Sequence, residues 1–311
     1  MKRIGLIGAR GHTGRELIRL MAGREDLELA FASSREFAGK PVTDLALEAP
    51  AGLLFEALSA EEAAGRGVDA IILAMPNGAA APFVAAVEAQ TPETVLVDLS
   101  ADYRFDNAWT YALPELYGRD AIRGSHRISN PGCYATAGQL AIAPVRNALD
   151  GAAHVFGVSG YSGAGTKPSR KNDLEALKDN LMPYALTGHI HEREMARHLG
   201  AEVQFTPHVA EFFQGIVATV HLSFSEAMTR EALIARFRAA YEGETLIEVS
   251  DEIPEARDGA ERLGAVVGGF AVSEDGRRGV VVTVLDNLLK GAAVQALQNL
   301  TLALGLDEFS G

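Results

Sequence analysis

One cysteine stands among the 311 residues of the chain, in surroundings unlike those of an ordinary core residue. Cys133 follows Ser129-Asn130-Pro131-Gly132, where Pro-Gly marks a turn, and precedes a run of small, helix-compatible residues. Its thiol therefore belongs at or near a helix N-terminus. The positive end of the helix dipole favours thiolate, the form that attacks carbonyl carbon, and exposed backbone N–H groups there can hold an oxyanion. A buried, inert cysteine is the commoner role for a lone thiol, but it needs no such setting. A thiolate also wants an acid/base partner. His189 and His191, in Gly188-His189-Ile190-His191-Glu192-Arg193-Glu194, supply two imidazoles with one residue between them, and His191 is the first choice. On a strand they would share a face; at a helix start they would point apart. His208, beside Pro207, is a third candidate. One cysteine excludes an internal disulfide, and no His or Asp cluster has ligand spacing, so no metal is expected.

A second constellation lies at the start of the chain. Gly8-Ala9-Arg10-Gly11-His12-Thr13-Gly14 places G-x-x-G-x-x-G between a strand-like run and a helical one. Gly8, Gly11 and Gly14 permit a tight turn, and the amides of Arg10, His12 and Thr13 can approach a pyrophosphate at the helix N-terminus. The next strand runs out near Ala32, where an NAD enzyme usually carries an acidic residue for the ribose 2′-hydroxyl. This chain has Ser33-Ser34-Arg35 there, hydroxyls and a guanidinium that suit the 2′-phosphate of NADP. Pro76, just past the third apolar run, is counted with the cofactor contacts.

Two further loops have small residues where a ligand could come close. Ser159-Gly160-Tyr161-Ser162-Gly163-Ala164-Gly165-Thr166-Lys167-Pro168-Ser169 follows a strand, and its Lys167 could meet a phosphate or carboxylate. Asn287, in Asp286-Asn287-Leu288, reads as a helix N-cap or as a partner for a carboxamide such as that of nicotinamide.

These residues need elements to hold them. Apolar runs at Arg3–Ile7, Leu27–Ala32, Ala70–Ala74 and Thr94–Leu99 alternate with helical stretches at 13–21, 60–65 and 79–89, predicting an α/β, Rossmann-type doubly wound parallel sheet. A helical stretch over 134–149, broken at Pro144, then leads to runs at 153–159, 203–205, 216–224 and 279–284. These alternate apolar and polar residues and predict an α+β domain with a mostly antiparallel sheet, one face of it covered. An amphipathic helix over 288–304 closes the chain. The expected domains are 1–132 with 288–311 for NADP, and 133–287 for catalysis and oligomerisation. A net charge of −13 with no basic block argues against a nucleic-acid partner, and no apolar run is long enough to span a bilayer. A cytoplasmic protein is expected.

With these residues assembled, the chain resembles the N-acetyl-gamma-glutamyl-phosphate reductases of arginine biosynthesis, relatives of aspartate-semialdehyde dehydrogenase. The similarity runs nearly end to end. It is carried by GARGHTG from Gly8, DLSADYRF from Asp98, ALPELYG from Ala112, SNPGCYAT from Ser129, SGYSGAGTKPS from Ser159, HIHEREM from His189, FTPH from Phe205 and DNLLKGAAVQALQN from Asp286. It implies a small acyl-phosphate substrate, attacked by Cys133, with hydride from NADPH and His191 as proton donor and acceptor. It further implies that Ser162, Gly163 and Asn287 approach the nicotinamide, and that Arg104, Asn130, Lys167 and His189 contact substrate. Homodimers or homotetramers are implied as well. The family commonly has an arginine between its two histidines, a proline shortly after them and an arginine before the glycine of the stretch matching His208 to Ile216. Here stand Ile190, Arg193 and Gln214, so no substrate-binding arginine can be carried to Gln214. A sister reductase acting on aspartyl or carrier-linked aminoadipyl phosphate would share the cysteine chemistry. A nucleotide-sensing protein without catalysis would need no reactive thiol, and a cysteine hydrolase would leave the glycine turn without a purpose.

Overall fold

The computed structural model describes residues 1–308. The chain divides into two compact units, Met1–Gly132 joined by the segment from Ala292, and Cys133–Gly291.

In the first unit the alternation read from sequence becomes β1 (Lys2–Ile7), α1 (His12–Ala22), β2 (Leu27–Ser33), β3 (Phe55–Glu56), α2 (Ala60–Ala64), β4 (Ala70–Leu73), α3 (Ala81–Gln90), β5 (Val95–Asp98), β6 (Thr110–Tyr111), α4 (Pro114–Tyr117) and β7 (Arg127–Ser129). The seven strands are parallel, in the order β3-β2-β1-β4-β5-β7-β6. Successive strand residues feed opposite faces, as the pleat requires. Ile4, Leu6, Ala70, Ile72, Val95 and Val97 join one core with Leu17, Ile18 and Met21 of α1. Ile7, Ile71, Leu73 and Leu96 join another with Ala63 of α2 and Val84 and Val87 of α3. Strands covered on both faces are why β4 and β5 read as unbroken apolar runs. The strand order reverses between β1 and β4, and in such sheets the crevice at the carboxyl ends beside that reversal takes the ligand.

The second unit opens with α5 (Cys133–Ile142), which passes into a 3₁₀ turn (Ala143–Ala148) carrying Pro144. There follow β8 (Ala153–Gly160), α6 (Leu174–Leu177), β9 (Leu181–Pro183), α7 (Ile190–Leu199), β10 (Val203–Ala210), β11 (Ile216–Ser223), α8 (Arg230–Ala240), β12 (Ile247–Val249), α9 (Ala256–Gly259), β13 (Ala265–Val272) and β14 (Arg278–Leu285). The sheet order is β12-β13-β14-β11-β8-β10-β9, mostly antiparallel, with parallel pairs at β12-β13 and β10-β8. Along β8, Val155 and Gly157 are buried while His154 and Phe156 face outward. β13 and α8 were not among the sequence expectations. β13 is interrupted by Gly268 and Gly269 and loses register between Gly268 and Ala271, which hides its period-two pattern.

The closing helix departs from its expected character. It starts as a π-helical turn (Leu289–Ala293) and continues as α10 (Val294–Ala303), whose residues from Gln295 onward are all buried. Its polar side chains face one another and the first unit rather than water. Gln295 donates to Gln298 and Asn299, each at 3.2 Å, and Asn299 donates to the Ala112 carbonyl at 2.9 Å. A polar stripe seen in sequence is thus an internal hydrogen-bond network.

Candidate active site

Cys133 is the first residue of α5, as the Pro-Gly turn and the small residues after it predict, and is half-buried. Two glycines make room for it and for the residue after it. A Cβ on Gly291 would lie 2.7 Å from the Cys133 Cβ. A Cβ on Gly157 would lie 2.5 Å from the ring of Tyr134, the next residue, which lies flat on β8 because that position carries no side chain. The Tyr134 hydroxyl donates to the His208 carbonyl at 2.6 Å. Burial pushes the Tyr134 and Tyr184 phenols up, and a thiolate at Cys133 pushes both further. Tyr184 was not singled out from the sequence, and Pro183-Tyr184 offers no signal that would have found it.

The two histidines meet rather than diverge. His189 is the N-cap of α7, and its Nδ1 accepts from the His191 amide at 3.1 Å. That bond folds the ring back over the first turn, bringing the imidazoles to 4.8 Å between centroids. With Nδ1 as acceptor, the proton of neutral His189 is on Nε2. Burial, then the charge of Lys171, lowers its pKa to about 4 against the opposing pull of Glu192, so His189 is a neutral hydrogen-bond donor at physiological pH. His191 lies 6.2 Å from the Tyr134 ring. Helices α5 and α7 pack directly, and a Cβ on Gly138 would meet the Met195 sulfur at 2.2 Å, so close packing at that glycine sets His191 against the cysteine helix. Glu192, in the first turn of α7, accepts from the amides of Gly188 (2.9 Å) and Phe205 (2.8 Å) and pins the turn to β10.

His208 is placed elsewhere. It pairs in register with Val158, packs at a tilt on outward-facing Phe156 with centroids 4.3 Å apart, and so lies across the sheet from Tyr134. Its carbonyl serves the site; its imidazole does not, which removes it from the acid/base candidates.

Asn287 is not the helix cap. Asp286 takes that role, its carboxylate accepting from the amides of Leu288 (2.8 Å) and Leu289 (3.2 Å). Asn287 instead accepts from the Gly215 amide (2.8 Å) and donates to Ser162 Oγ (2.9 Å), joining the start of the Ser159–Ser169 loop to the residues before the π-helical turn. Gly163 is exposed beside this pair, and Lys167 is exposed farther along the loop.

In the first unit, Gly8 adopts φ +79°, and a Cβ there would lie 2.3 Å from the Ala74 carbonyl oxygen. A Cβ on Gly14 would lie 2.3 Å from the Ala9 carbonyl oxygen, but one on Gly11 would meet nothing nearer than 3.8 Å. The outer glycines are demanded by packing and the middle one borders open space, a cradle that fits a dinucleotide pyrophosphate. Gly11 is the N-cap of α1, and no side chain caps that helix. The amides of Gly8 and Ala9 both go to the Ser33 carbonyl, at 3.1 Å, which latches the turn to the end of β2. Ser33 and Ser34 are buried there and Arg35 is exposed, while Arg10 pairs with Glu36 at 3.2 Å. His12 has its pKa lowered by burial and by Arg15. Pro76 is exposed on a loop whose Gly78 and Ala80 amides are held by Asp102, at 2.6 and 3.2 Å. Arg104 is buried and donates to the carbonyls of Asn130 (2.9 Å) and Leu99 (2.8 Å). Asn130 is buried as well, with its side chain held by Asn299 at 2.9 Å and by the Ala292 carbonyl at 3.4 Å. Both residues shape the turn ahead of the cysteine through these bonds. Among the described residues no metal-binding cluster occurs, and no helix is long and apolar enough to cross a membrane.

Residues 3–125 match the family model for the semialdehyde dehydrogenase NAD-binding domain, and residues 133–287 match that for the semialdehyde dehydrogenase dimerisation domain. N-acetyl-gamma-glutamyl-phosphate reductase of Stenotrophomonas maltophilia is 59% identical over 307 residues, covering 99% of this chain and 96% of that protein. The chain belongs to the N-acetyl-gamma-glutamyl-phosphate reductase family. A Xanthomonas campestris member of this reductase family is 55% identical, over 99% of this chain and 97% of its own length. Solved structures place the reductase fold beside that of aspartate semialdehyde dehydrogenase. The Vibrio cholerae enzyme II superposes with a TM-score of 0.77 at 18% identity, covering 97% of this chain and 98% of its own. The Candida albicans enzyme, solved with NADP, gives 0.74 at 17% identity over the same shares.

Proposed function

We propose that this chain reduces N-acetyl-γ-glutamyl phosphate to N-acetylglutamate 5-semialdehyde and phosphate with NADPH, in the cytoplasm, as a homodimer or homotetramer. The observation that carries the reading is Cys133 at the start of α5 with His191 fixed against that helix by the α5–α7 packing. The Cys133 thiolate attacks the acyl carbon; the C–O bond to phosphate breaks and a thioester forms. The α5 amides hold the oxyanion. NADPH, when bound, would supply the hydride that reduces the thioester carbonyl. His191 gives a proton to the resulting oxyanion and takes it back as the C–S bond breaks, releasing aldehyde and regenerating thiolate. Neutral His189 holds the substrate oxygen through Nε2–H, and Arg104, Asn130 and Lys167 complete the substrate contacts. Gly8, Arg10, Gly11, His12, Thr13, Gly14 and Pro76 hold the dinucleotide, Ser33, Ser34 and Arg35 the 2′-phosphate, and Ser162, Gly163 and Asn287 the carboxamide.

The test runs in reverse, following NADPH absorbance with N-acetylglutamate semialdehyde and phosphate, and with aspartate semialdehyde in parallel. Phosphate-dependent activity that favours the acetylated substrate and falls by about 10⁴-fold or more in Cys133→Ser is expected. Activity surviving in that variant would sink the thioester route, and preference for aspartate semialdehyde would move the chain to the sister activity.

A further inference from the structure

The substrate of that reading carries a second anion, a carboxylate two methylenes and one carbon away from the reacting carbonyl. The residues usually available to meet it are missing, since Gln214 and Ile190 are neutral. A carboxylate of this kind needs a cation or several donors once it leaves water.

One cation stands by the histidine pair. Lys171 is half-buried, with Nζ 4.6 Å from the centroid of the Tyr184 ring. It makes no ion pair with any described residue, whereas Arg170 and Lys167 on the same loop are exposed. The loop is built to present it. Asn172, its neighbour, donates to the carbonyls of Gly165 (2.8 Å) and Lys167 (2.9 Å) and accepts from the Ser169 amide (2.8 Å) and hydroxyl (3.2 Å). These bonds fix the short 3₁₀ turn (Arg170–Asn172) from which Lys171 reaches inward. The tyrosine beneath it is fixed as well. Its amide donates to the Pro207 carbonyl at 3.2 Å, its ring meets that of His189 edge-on at 5.8 Å, and Ala185 after it takes φ +41°, a strained conformation for alanine. Lys171, Tyr184, His189 and Cys133 thus form one neighbourhood, in which the charge of Lys171 is felt at His189 and that of Cys133 at Tyr184.

We propose that Lys171, held over Tyr184, binds the substrate's α-carboxylate and is the residue by which this chain selects an acyl phosphate bearing a carboxylate on its far end. The assignment rests on the acyl-phosphate reductase reading above. An ammonium over an aromatic face keeps N–H donors for a ligand, because the ring meets the charge through its quadrupole rather than as a hydrogen-bonded anion. Glu192 makes no ion pair with it; its carboxylate oxygens accept from the backbone amides of Gly188 and Phe205 instead.

The test compares N-acetylglutamate semialdehyde with its α-carboxamide, which has the same shape without the charge, in the phosphate-dependent reverse assay. Wild type should prefer the carboxylate. Lys171→Met should lose about 10- to 100-fold in kcat/KM for the carboxylate, mostly in KM, the effect of one hydrogen bond to a charged group, and little for the carboxamide. The preference ratio should therefore collapse, Lys171→Arg should restore part of it, and Arg170→Gln should leave it in place. An unchanged ratio in Lys171→Met, or an equal loss on both substrates, overturns the assignment and leaves Lys171 as packing for Tyr184. A wild type that turns over neither substrate overturns the reductase reading and this assignment together, an outcome distinct from both.

Discussion

The glycine turn of the first unit draws its working parts from two neighbouring stretches, Gly8 to Gly14 and Ser33 to Glu36, joined by one helix and one strand. The cysteine cluster of the second unit gathers Cys133, Tyr134, Lys171, Tyr184, His189, His191, Phe205 and Gly291 from segments scattered over more than half the chain. Both lean on glycines, for different reasons. Gly14 is required because the Ala9 backbone passes within 2.3 Å of where a Cβ would be, and Gly8 takes a φ of +79°, constraints internal to a strand-turn-helix unit, although the Ala74 carbonyl also crowds Gly8 at 2.3 Å. Gly291 and Gly157 are required because a residue distant in sequence, Cys133 or Tyr134, occupies that space. Glycine spacing is informative in the first case and silent in the second.

The contrast can be broken at each end separately. His191→Gln should lower kcat by about 10²- to 10⁴-fold, the usual contribution of a positioned acid/base group, while the NADPH dissociation constant, read by fluorescence, stays put. Equal loss of cofactor binding would mean that the two regions are not functionally separable. The glycines give a matched pair of smaller effects. Gly14→Ala forces a Cβ onto the Ala9 backbone and should weaken NADPH binding by about 10- to 100-fold. Gly291→Ala forces one onto Cys133 and should lower kcat by a similar factor without weakening NADPH. Swapped phenotypes would show that the division of labour drawn here is wrong.

The smallest effect concerns pH. His189 has a folded pKa of about 4 against an ordinary value of 6.5, so between these values the unfolded chain binds the extra proton. Stability from this group is complete above pH 6.5 and declines as pH falls toward 4. In His189→Gln, denaturant midpoints measured across that window should decline less steeply than in wild type, by up to one proton's worth of slope. Identical slopes would mean that His189 titrates normally.

Much of the fold was legible, and unevenly. The parallel strands of the first unit appear at their expected places because strands buried on both faces must be continuously apolar, and β4 and β5 are. Short β3, β6 and β7 lack the length to register as a pattern, and β13 is broken by its glycines. The closing helix was found but misjudged, since its Gln and Asn side chains look like a solvent face in sequence and are internal partners in the fold. For the site, the cysteine turn and the histidine pair were visible, but the tautomer of His189, the outward placement of His208 and the capping role of Asp286 were not.

What the amino-acid order determined by itself was everything settled within a turn or two of backbone. That covers a thiol placed at a helix start by Pro131 and Gly132, a glycine turn that can hold phosphate, and hydroxyls with an arginine where an acidic residue would select NAD. What only the tertiary structure decided was which imidazole meets the cysteine helix, which tyrosine lies beside the thiol and which cation stands over that tyrosine. Those answers depend on β8 and α7 packing against α5 and on the 165–172 loop reaching Tyr184, and side-chain contact between distant segments is set by packing, which no local spacing encodes.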